Sequence, residues 1–123
     1  MQFMALIYGD GSRWEAFSHD EREAVYERYR SFADEAGKAG VMAGGGELAS
    51  TRDATTVRVR NDETLVTDGP YAEVKEALGG YFLLDCDSME DAVEWASRIP
   101  GAEHGAIEVR PVYVDPNAEG APS

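Results

Sequence analysis

The chain has 123 residues, a length for one domain that can close a core without disulfides, and 43% of it is hydrophobic. A formal net charge of −13 argues against a nucleic-acid partner, because no basic patch is available to offset phosphate charge. The single cysteine, Cys86, excludes an internal disulfide and fits a reducing compartment, and no apolar run approaches the length of a membrane span.

The apolar start, Phe3 to Tyr8, lacks a basic leader and a small-residue cleavage site, so it reads as a first strand rather than a signal peptide, and a cytoplasmic location is expected. Its residues are apolar on both faces, as in a strand covered on two sides. Ser18-His19-Asp20-Glu21 then matches a capping box and opens a helix to about Gly37, with Val25, Tyr29, Phe32 and Ala36 as its buried stripe. Val41-Met42-Ala43 predicts a short second strand ending in a flexible turn at Gly44-Gly45-Gly46. No Lys-Ser/Thr follows these glycines, so they are not a phosphate loop.

Thr55 to Arg60 alternates as a half-buried strand with Val57 and Val59 inward. Asn61-Asp62-Glu63 turns the chain, and Thr64 to Thr67 returns as a hairpin partner. Residues 70–78 are expected to be irregular. Gly80 to Cys86 is a further strand, apolar on both faces. Ser88 opens a second helix with Met89, Ala92, Val93, Ala96 and Ile99 as its stripe, stopped by Pro100-Gly101. Ala106 to Val114 is the last strand, with Ile107 and Val109 on one face and Glu108 and Arg110 on the other. Residues 115–123 carry no apolar pattern and are expected to be a disordered tail after a domain of residues 1–114.

The element order is β-α-β, an inserted hairpin, then β-α-β. This predicts an α+β fold, a ferredoxin-like split β-α-β with an antiparallel sheet and both helices on one face. Two helices cover only one side of such a sheet, yet two strands are apolar on both sides. A second copy, related by twofold symmetry, is the simplest cover, so a homodimer with facing sheets is expected.

Asp68-Gly-Pro-Tyr-Ala-Glu-Val-Lys-Glu76 resembles the DGPFAETKE signature of the DGPF-domain family within the YCII-related proteins, departing at Tyr71 and Val74. Tyr8-Gly9-Asp10, Gly79-Gly80-Tyr81 and Glu108-Val-Arg-Pro-Val112 strengthen the likeness, which covers about residues 1–114. The resemblance implies a dimeric α+β barrel. It also implies a small cytosolic bacterial protein, of a kind often encoded beside extracytoplasmic-function sigma factors. Distant relatives with this barrel include isomerases and monooxygenases of aromatic catabolism. The resemblance to YCII proteins further implies a first-helix His with an acidic partner. Here that helix reads Glu27-Arg28-Tyr29-Arg30-Ser31 and has no His beyond His19 at its start, which removes that dyad.

Three groups of residues are candidates for chemistry. In the nonamer, Asp68 can bond forward to turn amides, and Glu73, Lys75 and Glu76 can form an ion-paired cluster at a barrel mouth. The simpler role for this cluster is to fix the loop and the dimer contact. Glu108 and Arg110, with Arg58 and Arg60, form the polar face of two strands, suited to a small anion if it lies between two sheets. His104, in the loop before the last strand, is an acid/base candidate, though a lone loop His is more often only exposed. Tyr8 and Tyr71 are candidates to line an aromatic pocket. The expected catalytic set is Asp68, Lys75 and His104. The expected ligand-binding set is Tyr8, Arg58, Tyr71, Glu73, Glu76, Glu108 and Arg110. No metal or cofactor is expected, since two histidines and one cysteine far apart give no ligand spacing. The sequence favours a small-molecule-binding or accessory protein, linked to a sigma-factor pathway, over a cofactor-free isomerase- or lyase-type enzyme. A module binding a basic protein segment is a third option.

Overall fold

The computed structural model describes residues 1–117. Strand β1 (Gln2–Asp10) leads into a short helix α1 (Gly11–Glu15) and the long helix α2 (His19–Lys38). Strand β2 (Met42–Glu47) precedes the hairpin of β3 (Thr55–Arg60) and β4 (Glu63–Asp68), and β5 (Glu76–Asp85), α3 (Met89–Ala96) and β6 (Ala106–Pro111) complete the chain. The main sheet has the order β2-β5-β1-β6 with every neighbour antiparallel. Each β-α-β half therefore leaves a gap that a strand of the other half fills, compatible with a ferredoxin-like α+β fold. The hairpin forms a separate two-stranded sheet.

Local chemistry explains the long helix. Ser18 accepts from the Glu21 amide while Glu21 reaches back to the Ser18 amide, so two unpaired donors are satisfied at once. At the other end Gly40 takes a φ of 73°, which lets the Val41 amide reach the Ala36 carbonyl at 2.9 Å and the Gly40 amide that of Gly37 at 3.1 Å. Helix α1 lies outside the elements expected from sequence. The Asp10 carboxylate accepts from the Ser12 amide at 3.0 Å, which converts Gly9-Asp10-Gly11-Ser12 from a turn into a helix start.

The core lies between the sheet and the helices. Phe3 and Ala5 of β1, Leu84 of β5, Phe32 and Ala36 of α2, and Ala92 and Ala96 of α3 are all buried, with Cys86 and Ile99 beside them. The expected stripe of α3 is split. Its alanines sit on the sheet, bringing the helix close, while Met89 and Val93 are 37% and 51% exposed at its flank.

Several expectations are corrected. Gly44, Gly45 and Gly46 form no turn; they extend β2 and pair with Leu83, Phe82 and Tyr81. A Cβ on Gly45 would stand 2.7 Å from the Phe82 ring, and one on Gly46 3.2 Å from the Tyr81 ring, so glycine here makes room for neighbouring aromatics. Val57 and Val59 do not point inward but are 60% and 59% exposed, because the hairpin leaves the main sheet. Its turn is the pair Asn61-Asp62, with φ of 51° and 63°, and Glu63 already belongs to β4. Residues 71–75 are irregular as expected, but Glu76 to Leu78 pair with Asp10 to Tyr8 as the start of β5. β6 stops at Pro111, short of Val114. Of the expected tail, Asp115 to Asn117 form a turn closed by the Asp115 carboxylate, and 118–123 lie outside the described residues.

Two substitutions test this packing by urea denaturation. Leu84→Ala, at a fully buried position, is expected to cost about 2–5 kcal/mol. Gly40→Ala is expected to cost about 1 kcal/mol, since only the left-handed backbone is disturbed and nothing lies within reach of a new Cβ. Equal losses at the two positions would contradict the assignment of Leu84 to the core.

Candidate functional site

Side chains alternate across a strand, so each main-sheet strand offers a second face away from the helices. On β1 that face carries Met4, Leu6 and Tyr8, all half-buried, and on β5 it carries Tyr81 and Leu83. The β1–β6 register sets Arg110 opposite Met4 and Glu108 opposite Leu6. Diagonally, the Tyr8 hydroxyl donates to Glu108 Oε1 at 3.3 Å. Arg110 makes no ion pair among the described residues. This face is thus an apolar floor with one hydroxyl–carboxylate pair and one free guanidinium. Such a guanidinium can take a carboxylate through two parallel hydrogen bonds, while an apolar ring lies on Leu6 and Leu83.

The remaining sequence candidates are spread over other places. Arg58 lies over the Tyr71 ring, 5.3 Å from its centre, and Tyr71 itself is 80% exposed. Asp68 ends β4 opposite Thr55, exposed and without a side-chain partner among the described residues. Glu73 is exposed on the irregular segment, and Glu76 is exposed opposite Asp10. Lys75 is exposed near Asp10, whose carboxyl is held below its usual value mainly by hydrogen bonds from Ser12, with a smaller contribution from Lys75. His104 is exposed, with Nε2 3.3 Å from the Arg13 guanidinium and 3.9 Å from Glu103. The structure therefore brings together Tyr8 and Glu108, and Arg58 and Tyr71. No hydrogen bond or ion pair links Asp68, Lys75 and His104 among the described residues.

A second polar group, not anticipated from sequence, forms around His104. Arg28 of α2 holds Glu103 through both carboxylate oxygens, one of the two bonds measuring 2.9 Å. The bond from Arg28, aided by its charge, keeps the Glu103 carboxyl below the ordinary value. The partners are 75 positions apart, so no local spacing announces the pair. Gly105 adjoins it: a Cβ there would collide with the Tyr8 carbonyl, so glycine lets this loop pass close against β1.

An apolar groove lies elsewhere, on the helix side between α3 and β6. It has a volume of about 360 Å³ and is lined by Met89, Val93, Ala96, Ala102, Ile107 and Val109, with Ser97 its only polar residue. No charged group lines it among the described residues, so it offers little to orient an anionic small molecule. Among the described residues no group of His, Cys, Asp or Glu is arranged to hold a metal ion, and no helix is long and apolar enough to cross a membrane.

The sheet order and the two-sided strands define a small α+β protein with one helix-covered and one open sheet face. The chain belongs to the YCII-related domain family, whose pattern it matches over residues 1–114. It is also 38% identical over 117 residues to an uncharacterised protein of Rhizobium meliloti (strain 1021), the match covering 91% of this chain and 92% of that one.

The Arg28–Glu103 pair makes a pH prediction. A carboxyl whose folded value is depressed adds stability above its unfolded value, and that contribution is lost as pH falls through the folded value. NMR titration is expected to place the Glu103 midpoint below the ordinary glutamate value, and Arg28→Ala is expected to move it back up. An unmoved midpoint in Arg28→Ala would contradict the pairing.

Proposed function

We propose that the protein is a homodimer that binds a small aromatic or enolisable molecule carrying an anionic group between the helix-free faces of two sheets. The observation that carries this reading is the Tyr8–Glu108 hydrogen bond beside Arg110, which has no ion pair among the described residues, set on a floor of Met4, Leu6 and Leu83. In the dimer the two floors face each other and exclude water, which strengthens the contacts of Arg110 and Glu108 with a ligand. Arg110 takes the anionic group, Glu108 accepts from a hydroxyl or amine, and Tyr8 fixes the Glu108 carboxylate. The nonamer at 68–76 supports membership of the DGPF branch of the family and, through it, a dimeric α+β barrel in the bacterial cytoplasm. On the same resemblance the protein is an accessory to an extracytoplasmic-function sigma-factor pathway, a link that gene neighbourhood tests.

A second reading is a cofactor-free acid/base enzyme of isomerase or lyase type. The observation that favours it is the gathering of Asp10, Lys75, Arg13 and His104 where β1 ends. In that case His104 moves the proton while Lys75 holds the developing negative charge. Asp68, exposed at the hairpin base, then serves the loop rather than the reaction.

A thermal-shift screen of small aromatic carboxylates and hydroxy acids, benzoate and salicylate among them, tests both. Binding is expected to raise the melting temperature of the wild type and of Asp68→Ala and Lys75→Ala. It is expected to weaken about 10- to 100-fold in Arg110→Ala and Glu108→Gln, as for the loss of a charge-assisted bond. A hit unaffected by either of these two changes would contradict a site on the helix-free face. Loss in Lys75→Ala or His104→Ala would shift the assignment to the strand-end cluster.

A further inference from the structure

We propose that the β3–β4 hairpin is an arm exchanged between two copies, seated with its valine face in the apolar groove between α3 and β6 of the second copy. The inference rests on the dimer proposed above and adds a contact that the facing of two sheets does not require.

Four observations converge on it. First, the hairpin is a two-stranded sheet of its own, against which no other element packs extensively among the described residues. An isolated pair of strands is at best marginally stable in water, so an ordered hairpin calls for a third layer.

Second, its two faces differ. The face with Thr56, Arg58 and Leu65 is partly covered by the chain itself, through the Thr56 hydroxyl bonded to the Gly69 carbonyl at 2.9 Å and Arg58 lying over Tyr71. The opposite face presents Val57 and Val66 side by side with Val59 next along, exposed at 60%, 64% and 59%. Adjacent valines exposed to this degree mark a contact surface rather than scattered surface residues.

Third, charge selects the occupant. With a net charge of −13, two copies repel least where they meet on surfaces with few carboxylates. The valine face carries no charge until Asp68 at its base, and no charged residue lines the groove of Met89, Val93, Ile107 and Val109. These surfaces match in chemistry: both are apolar and uncharged, and the groove is open to solvent.

Fourth, the arm follows β2, which is one edge of the main sheet, and the groove borders β6, which is the other. When two sheets face each other about a twofold axis along the strands, the β2 edge of each copy stands over the β6 edge of the other. Each arm then starts at the second copy's β6 edge, and bending round that edge to the helix side brings it to the groove. Area agrees. Facing sheets of four strands bury only roughly 800 Å² by strand spacing and rise, below the roughly 1,000 Å² of a stable interface. Two arms of similar spacing add roughly another 800 Å² and bring the total to the usual size.

The test compares the full chain with Val57→Asp on the arm and Val93→Asp in the groove, both at exposed positions that leave the core intact. Sedimentation velocity across concentration gives the dimer dissociation constant, and hydrogen exchange reports on residues 55–68. Each substitution is expected to weaken the dimer about 100-fold, since each buries a carboxylate at the contact. In Val93→Asp the hairpin amides are expected to lose protection although the change lies on α3. A tight dimer in both variants with hairpin protection unchanged would overturn the exchanged arm and leave the facing sheets standing. A wild type that sediments as a monomer would overturn both.

Discussion

A four-stranded antiparallel sheet has two faces, and the two helices of this chain cover one of them. Everything else follows from that imbalance. Phe3, Ala5 and Leu84 are removed from water by α2 and α3, whereas Met4, Leu6 and Leu83 on the same strands are left half-buried on the far side. At roughly 25 cal/mol per Å², leaving so apolar a face in water forgoes several kcal/mol, a large share of the marginal stability of a small domain. A face of this kind is either covered by another molecule or used to hold one. The proposed dimer does both at once.

Charge decides where such covering is possible. Most of the acidic residues are carried on the helices and in the loops, where some pair locally, as Glu27 does with Arg30 and Asp34 with Lys38. These exposed pairs contribute little to stability and leave a self-repelling surface. The surfaces poorest in carboxylates are the helix-free sheet face around Leu6, the valine face of the hairpin above Asp68 and the α3–β6 groove. Of these only the sheet face also carries a small polar set, Tyr8, Glu108 and Arg110. It is therefore the place where a ligand can be oriented and not merely buried.

Most of the architecture was legible because local signals and global packing agree. The Ser18–Glu21 capping box, the Val25–Tyr29–Phe32–Ala36 stripe and the two-sided β1 and β5 each fixed one element and together the fold. The misreadings share one cause: a tertiary neighbour changed the meaning of a local pattern. Three glycines read as a turn are a strand because the Phe82 and Tyr81 rings occupy the space their side chains would need. Alternation in β3 showed that one face was apolar but not which body it would face, so Val57 and Val59 were assigned to a core they do not enter. In the candidate site, the Tyr8–Glu108 pair spans 100 positions and Arg28–Glu103 spans 75, separations at which sequence carries no spacing signal. The nonamer at 68–76 marked the family, yet Glu73, Lys75 and Glu76 are exposed and form none of the expected ion pairs among the described residues, so its visible part is the hairpin base and the Tyr71 ring beneath Arg58.

The central claim is that the helix-free face is covered in solution. Methyl NMR with a soluble paramagnetic agent reads this directly, because relaxation rises with solvent access at each methyl group. Leu84, fully buried under the helices, and Val114, exposed after β6, supply the two reference values. A covered face predicts that Leu6 and Leu83 relax like Leu84 at high protein concentration. Relaxation at Leu6 and Leu83 close to that of Val114 at every concentration would contradict it.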